Sequence, residues 1–175
     1  FRLAAEQGAQ AIELDAKLSA DGEVMVIHDA TVDRTTNGSG AVAALSRSRL
    51  QSLDAGSFFG AQYAGEPIPT LEEVFEAVGS RLLINVELTN YANPADRLVE
   101  KTVELVRAFH LEGRILFSSF HPLNLMRARK LLPAVPRAIL ALPGRKGWWA
   151  RSFMLRGISP QAVNPYFTDA SPAFI

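Results

Sequence analysis

At 175 residues and 48% hydrophobic content, the chain has the length and composition of one globular domain with a full core. Eighteen basic and eighteen acidic side chains cancel, which excludes the basic footprint of a general nucleic-acid binder, and the absence of cysteine excludes disulfides and thiolate metal sites. No apolar run is long enough to span a membrane, so stable membrane insertion is not expected, and the lack of cysteine fits a reducing, cytoplasmic setting.

In chain order, residues 11–15 and 24–28 are short apolar runs separated by the turn residues Asp21-Gly22, and both read as strands. Leu45, Leu50 and Leu53 hint at a short helix. Pro69-Thr70-Leu71-Glu72-Glu73 has the form of a capping box, and Leu71, Val74, Phe75 and Val78 follow at helical spacing before Gly79. Residues 82–87 read as the next strand. Asn93-Pro94 is expected to start a helix with Leu98, Val99, Val103, Val106 and Phe109 on one face, ending before Gly113. Strand 115–119, helix 122–132, strand 138–142, a short helix over 150–156 and a last strand beginning at 162–164 complete the series. Such alternation predicts an α/β fold with a helix-covered parallel sheet, either a barrel or a doubly wound sheet. No glycine fingerprint follows the first strand, which moves the balance toward the barrel.

Strand alternation puts Glu13 and Asp15 on one face of the first strand, Val24, Val26 and His28 on one face of the second, and Leu83, Asn85 and Glu87 on one face of the third. Each polar group lies near a strand's C-terminal end, where ligands bind in parallel α/β folds. Three carboxylates so placed repel unless a cation sits among them, and an all-oxygen set suits Mg²⁺ or Ca²⁺ rather than zinc. His28 is then free to act as a general acid or base. A lone carboxylate at a strand end is more often a helix cap or salt-bridge partner, but Glu13, Asp15, His28 and Glu87 together read as a site. His110 fits the end of a helix. His121, opening a helix, either lines the mouth or is structural. Trp148 and Trp149, near Arg145, Lys146 and Arg151, form either a lip for an acyl chain or a packed helix start. Asn85, His121 and Trp148 are the candidate substrate contacts.

At these residues the chain resembles the glycerophosphodiester phosphodiesterase family. The match runs from Gly8-Ala9-Gln10-Ala11-Ile12-Glu13-Leu14-Asp15 through Asp21-Gly22 and Val26-Ile27-His28-Asp29 to Asp33-Arg34-Thr35-Thr36-Asn37-Gly38-Ser39-Gly40. It continues with Leu53-Asp54-Ala55-Gly56-Ser57, Ile68-Pro69-Thr70-Leu71-Glu72-Glu73 and Asn85-Val86-Glu87-Leu88, and more weakly with Ser118-Ser119-Phe120 and Val163-Asn164-Pro165. The resemblance implies a single TIM (β/α)8-type barrel domain over 1–175 with a small insertion at about 30–70, and with the barrel's first and last strands lacking. The sheet edges this would expose are compatible with a homo-oligomer or a barrel completed by a partner chain.

Family members hydrolyse glycerophosphodiesters, small-molecule substrates, to sn-glycerol 3-phosphate and an alcohol with Mg²⁺ or Ca²⁺. By resemblance Glu13, Asp15 and Glu87 are metal ligands and His28 is one of two catalytic histidines. The implied route is attack by the glycerol 2-hydroxyl, giving a cyclic phosphate that water opens. The family's other histidine lies in a His-Arg-Gly segment that this sequence does not contain, so loss of most activity is expected, and Thr89 stands where a lysine is usual. Two alternatives remain: a related barrel phospholipase D acting on lysolipids or sphingolipids, and a non-catalytic module that binds metal and phosphodiester.

Overall fold

The computed structural model describes residues 1–151, 155 and 158–170. The helix expected over 150–156 falls largely outside them, as do the Trp149 and Arg151 side chains. After helix α1 (Arg2–Glu6), strands β1 (Ala11–Leu18) and β2 (Val24–Val26) form a hairpin. Helices α2 (Arg47–Gln51) and α3 (Leu71–Val78) precede β3 (Leu83–Leu88), and the chain continues through α4 (Leu98–Ala108), β4 (Ile115–Ser119), α5 (Pro122–Leu131), β5 (Arg137–Leu140) and β6 (Ala162–Asn164). The strands form one sheet in the order β2-β1-β3-β4-β5-β6.

Five of these strands run parallel, each beside the next, as expected of barrel staves. The departure is β2, which pairs antiparallel with β1, Ala16 facing Val26 and Leu18 facing Val24. The connection from Leu18 to Val24 is too short for the crossover that a parallel pair requires, and Gly22, at φ 81°, makes the reversal.

Alternation along β1 buries Leu14 and Ala16 under the helices and turns Glu13, Asp15 and Lys17 to the opposite face. Val86 and Leu88 of β3 and Phe117 of β4 extend the buried layer, against which Val74, Phe75, Val103, Val106 and Leu125 pack. Helix α3 begins with the expected capping box: Thr70 Oγ1 accepts from the Glu73 amide (3.1 Å), and Glu73 Oε2 accepts from the Thr70 amide (2.8 Å). Between β2 and α3 the chain makes a closed excursion, because the Val26 amide donates to the Pro69 carbonyl at 2.9 Å. This excursion has its own small core of Met25, Ile27, Val32, Val42, Leu50, Leu53 and Ile68.

Helix α4 differs from expectation at both ends. It starts at Leu98 rather than at Pro94, because the Asp96 carboxylate accepts from the Leu98 amide (2.9 Å) and from Asn90 Nδ2 (2.6 Å), which holds residues 90–96 as a loop. It ends at Ala108, with Phe109 as the C-cap, rather than running to Gly113. His110 adopts a left-handed φ of 55°, with the Leu111 amide bonded to Val106 O (3.0 Å) and the His110 amide to Arg107 O (3.1 Å). Those two bonds are a Schellman motif. No helix among the described residues is long and apolar enough to cross a membrane.

Candidate metal centre

Parallel register places Asp15 of β1 beside Glu87 of β3, and Glu13 beside Asn85. These four side chains share the face turned away from the helices. Glu13, Asp15 and Glu87 each offer an oxygen, and the three oxygens lie within 4.8 Å of one another. Burial, then the charges of Asp15 and Glu87, push the Glu13 carboxyl up to about 7. Burial likewise raises Asp15 and Glu87 above the usual carboxylate range. The buried Oδ1 of Asn85 has no hydrogen-bond partner. A crowded set of oxygen donors, raised carboxyls and an orphaned amide oxygen beside them together fit a hard divalent cation.

His28 reaches the cluster by a different route from that implied by a parallel sheet. The Ile27 amide donates to the Asp15 carbonyl (3.1 Å), so the returning hairpin delivers His28 beside Asp15. His28 lies just past the end of β2, with a largely exposed side chain. Its Nδ1 lies 2.7 Å from Asp29 Oδ1, and Arg34 clamps Asp29 through Nε (2.6 Å) and Nη2 (2.9 Å). The Arg34 hydrogen bonds, then that of His28, hold the Asp29 carboxyl well below the usual range. Asp29 is therefore an acceptor, which assigns the Nδ1 proton to His28 and leaves Nε2 to exchange protons. Its bond to Asp29, followed by the nearby Asp15 charge, raises the His28 pKa.

Tyr91 stands behind Glu87. Its hydroxyl donates to Glu87 Oε1 at 2.5 Å and accepts from the Phe120 amide at 3.3 Å, while its ring packs edge-on against Phe120 with centroids 6.0 Å apart. Asn124, fully buried, holds the loop carrying Tyr91 by donating to Leu88 O (3.1 Å) and Asn90 Oδ1 (2.8 Å). Above the carboxylates opens a cavity of about 650 Å³. Its polar lining includes Asp15, Lys17, His28, Asp29, Glu87 and Tyr91, and small or apolar residues such as Ala30, Val42 and Phe120 complete it together with Asn93 and Asp96. That volume suits a small-molecule ligand.

A family model for the glycerophosphoryl diester phosphodiesterase family matches residues 1–152. The chain belongs to this family. A glycerophosphodiester phosphodiesterase from Caldanaerobacter subterraneus is 36% identical over 176 residues, covering 100% of this chain and 71% of that protein. One from Bacillus altitudinis is 39% identical over 144 residues, covering 81% of this chain and 59% of its own length. An Oleispira antarctica phosphodiesterase solved in complex with the product sn-glycerol-3-phosphate superposes with a TM-score of 0.82 at 31% identity, over 94% of this chain and 66% of that one. The chain thus spans roughly three fifths to seven tenths of the length of these three relatives.

Within this phosphodiesterase fold, Glu13, Asp15, Glu87, Asn85 and His28 come together as the sequence predicts. His121 caps α5 instead, its Nδ1 accepting from the Leu123 amide at 3.2 Å. Trp148 is 60% exposed on a 3-10 turn after β5. Neither His121 nor Trp148 lines the cavity. Sequence reasoning passed over Lys17, Asp29, Arg34 and Tyr91. Lys17 was findable by extending the Glu13, Asp15 alternation two residues, and Asp29 by its adjacency to His28. Arg34 lies in the Asp33-Arg34 segment that carries the resemblance, five residues from its partner Asp29, whereas nothing local marks Tyr91, whose partners are set by loop geometry.

Proposed function

We propose that the protein is a divalent-metal-dependent glycerophosphodiesterase, converting a glycerophosphodiester to sn-glycerol 3-phosphate and an alcohol. The observation that carries this reading is the cluster of Glu13, Asp15 and Glu87, of which Asp15 and Glu87 line one cavity with His28, in a chain of this family. Glu13, Asp15 and Glu87 would hold Mg²⁺ or Ca²⁺, with Asn85 beside them. Such an ion supplies Lewis-acid neutralisation of charge on the phosphate.

The remaining chemistry falls to the side chains. His28 Nε2 is free while Nδ1 is held by Asp29, so His28 can accept a proton or return one without losing its orientation. As the glycerol 2-hydroxyl attacks phosphorus it gives its proton to His28 Nε2, the P–O bond to the alcohol breaks and the alcohol takes a proton from solvent; water then adds to phosphorus, losing a proton to solvent, while the P–O bond to the 2-oxygen breaks and His28 returns its proton to that oxygen. Because the nucleophile belongs to the substrate, proximity replaces a protein nucleophile. Asp29 and Arg34 orient His28, and Tyr91 orients Glu87.

The test is turnover of glycerophosphocholine in the presence of Mg²⁺ or Ca²⁺, followed by choline and sn-glycerol 3-phosphate release. Metal-dependent formation of both products is expected at a rate far below that of a relative carrying the His-Arg-Gly segment, and it should be lost in His28→Ala and in Glu87→Gln. Choline release from lysophosphatidylcholine but not from glycerophosphocholine would transfer the site to the phospholipase D reading, and the absence of either reaction would leave the binding-module reading.

A further inference from the structure

Lys17 is the one lysine or arginine lining the cavity among the described residues, and the metal-binding reading gives it no role. It follows Asp15 on the same face of β1 and is partly buried. Four carboxylates, Asp15, Asp29, Glu87 and Asp96, line the cavity with it, yet its ammonium forms no ion pair within 4.0 Å among the described residues. Its hydrogen-bond partner is neutral: Nζ donates to Thr89 Oγ1 at 2.5 Å.

Thr89 is placed to hold that ammonium. Its own hydroxyl hydrogen goes to the Ala16 carbonyl at 2.7 Å, which leaves an oxygen lone pair for Nζ. Thr89 is itself buried at the end of β3, so the acceptor is fixed by the sheet. A lysine ammonium has three N–H donors. One is spent on Thr89, and two remain for a ligand in the cavity that Lys17 lines. A surface lysine would reach for a carboxylate or for water, whereas this one is tethered within a cavity whose other charged groups are acidic.

We propose that Lys17 is the oxyanion anchor of the site, donating to a non-bridging oxygen of the substrate's phosphate, with Thr89 as the positioning residue that aims it. The proposal rests on the phosphodiesterase reading and adds the residue that recognises the phosphate. An anionic phosphodiester entering a cavity lined by Asp15, Asp29, Glu87 and Asp96 meets repulsion, and a fixed cation beside the carboxylates offsets it at the phosphate. Lys17 thereby separates two tasks: the carboxylates select a metal, and the ammonium selects an anion.

The experiment is calorimetric titration of the protein with sn-glycerol 3-phosphate and with inorganic phosphate, in EDTA and again with Mg²⁺. Lys17→Met should weaken both anions by about 10- to 100-fold, the loss expected for a charge-assisted hydrogen bond, in EDTA as well as with metal. Lys17→Arg should recover part of that affinity, and Thr89→Val, which keeps the charge but removes its tether, should show a smaller loss. Mg²⁺ affinity should not fall in Lys17→Met, because a cation beside the carboxylates opposes metal binding. Should Lys17→Met fail to fold, Thr89→Val and Lys17→Arg still decide the matter, since wild-type anion affinity in Thr89→Val contradicts the anchor. Wild-type anion affinity in folded Lys17→Met overturns the proposal, and glycerophosphocholine turnover by the wild type then leaves the phosphodiesterase reading standing. Lys17-dependent anion binding without diester turnover would do the reverse. A wild-type protein that binds neither anion at millimolar concentration overturns the anchor directly.

Discussion

The Glu13 carboxyl is pushed up to about 7, against an ordinary value of 4.5, because desolvation within the cluster and then two neighbouring carboxylates disfavour its charge. Two consequences follow from that sign. In EDTA, the folded chain keeps a proton that the unfolded chain gives up between pH 4.5 and about 7, so stability is greatest at the acid end of that window and declines as pH rises through it. Metal binding runs the other way: below about pH 7 the ion must displace a proton, so affinity falls as pH falls. Urea midpoints across pH with and without Mg²⁺ check the first, and Mg²⁺ calorimetry at pH 6 in two buffers of different ionisation enthalpy checks the proton release. Tyr91 offers a second residue-scale test. Removing the hydroxyl that donates to Glu87 frees a ligand to rotate, so Tyr91→Phe should weaken metal binding by about tenfold, the usual effect of losing an outer-shell partner, with little change in the urea midpoint.

At the scale of elements, what the sequence made legible depended on whether the signal was local. Helix α3 was readable because its cap, apolar spacing and terminating glycine lie within eleven residues. The face shared by Glu13 and Asp15 was readable because strand periodicity is local too. The direction of β2 was available but carried by a different cue: the short link through Asp21-Gly22 permits only a hairpin, and apolar runs by themselves say nothing of direction. The start of α4 was misplaced for a non-local reason, since Asp96 is drawn to Asn90 and Asn90 to Asn124 on α5. Its end was misplaced because a histidine occupies the left-handed position where glycine is usual. His110→Gly should therefore stabilise the protein by about 1 kcal/mol, the cost of holding an L-residue in that conformation, seen as a higher urea midpoint. An unchanged or lower midpoint would show that the His110 side chain contributes contacts that outweigh the strain.

Across the whole molecule, the carboxylates meet only because β1 and β3 are neighbours in register, while the hairpin carrying His28 and the loop carrying Tyr91 close over them from either side. No pair of these elements makes the site alone. A metal held there binds the folded chain and not the unfolded one, so it must stabilise the fold by linkage. The most direct test is titration of the EDTA-stripped protein with Mg²⁺ or Ca²⁺ by calorimetry, with Glu87→Gln and Glu13→Gln measured in parallel and their fold checked by circular dichroism. One divalent site per chain, which raises the urea midpoint of the wild type and is abolished in both folded variants, is the predicted result. No binding at millimolar metal, or binding that survives loss of either carboxylate, would contradict the account.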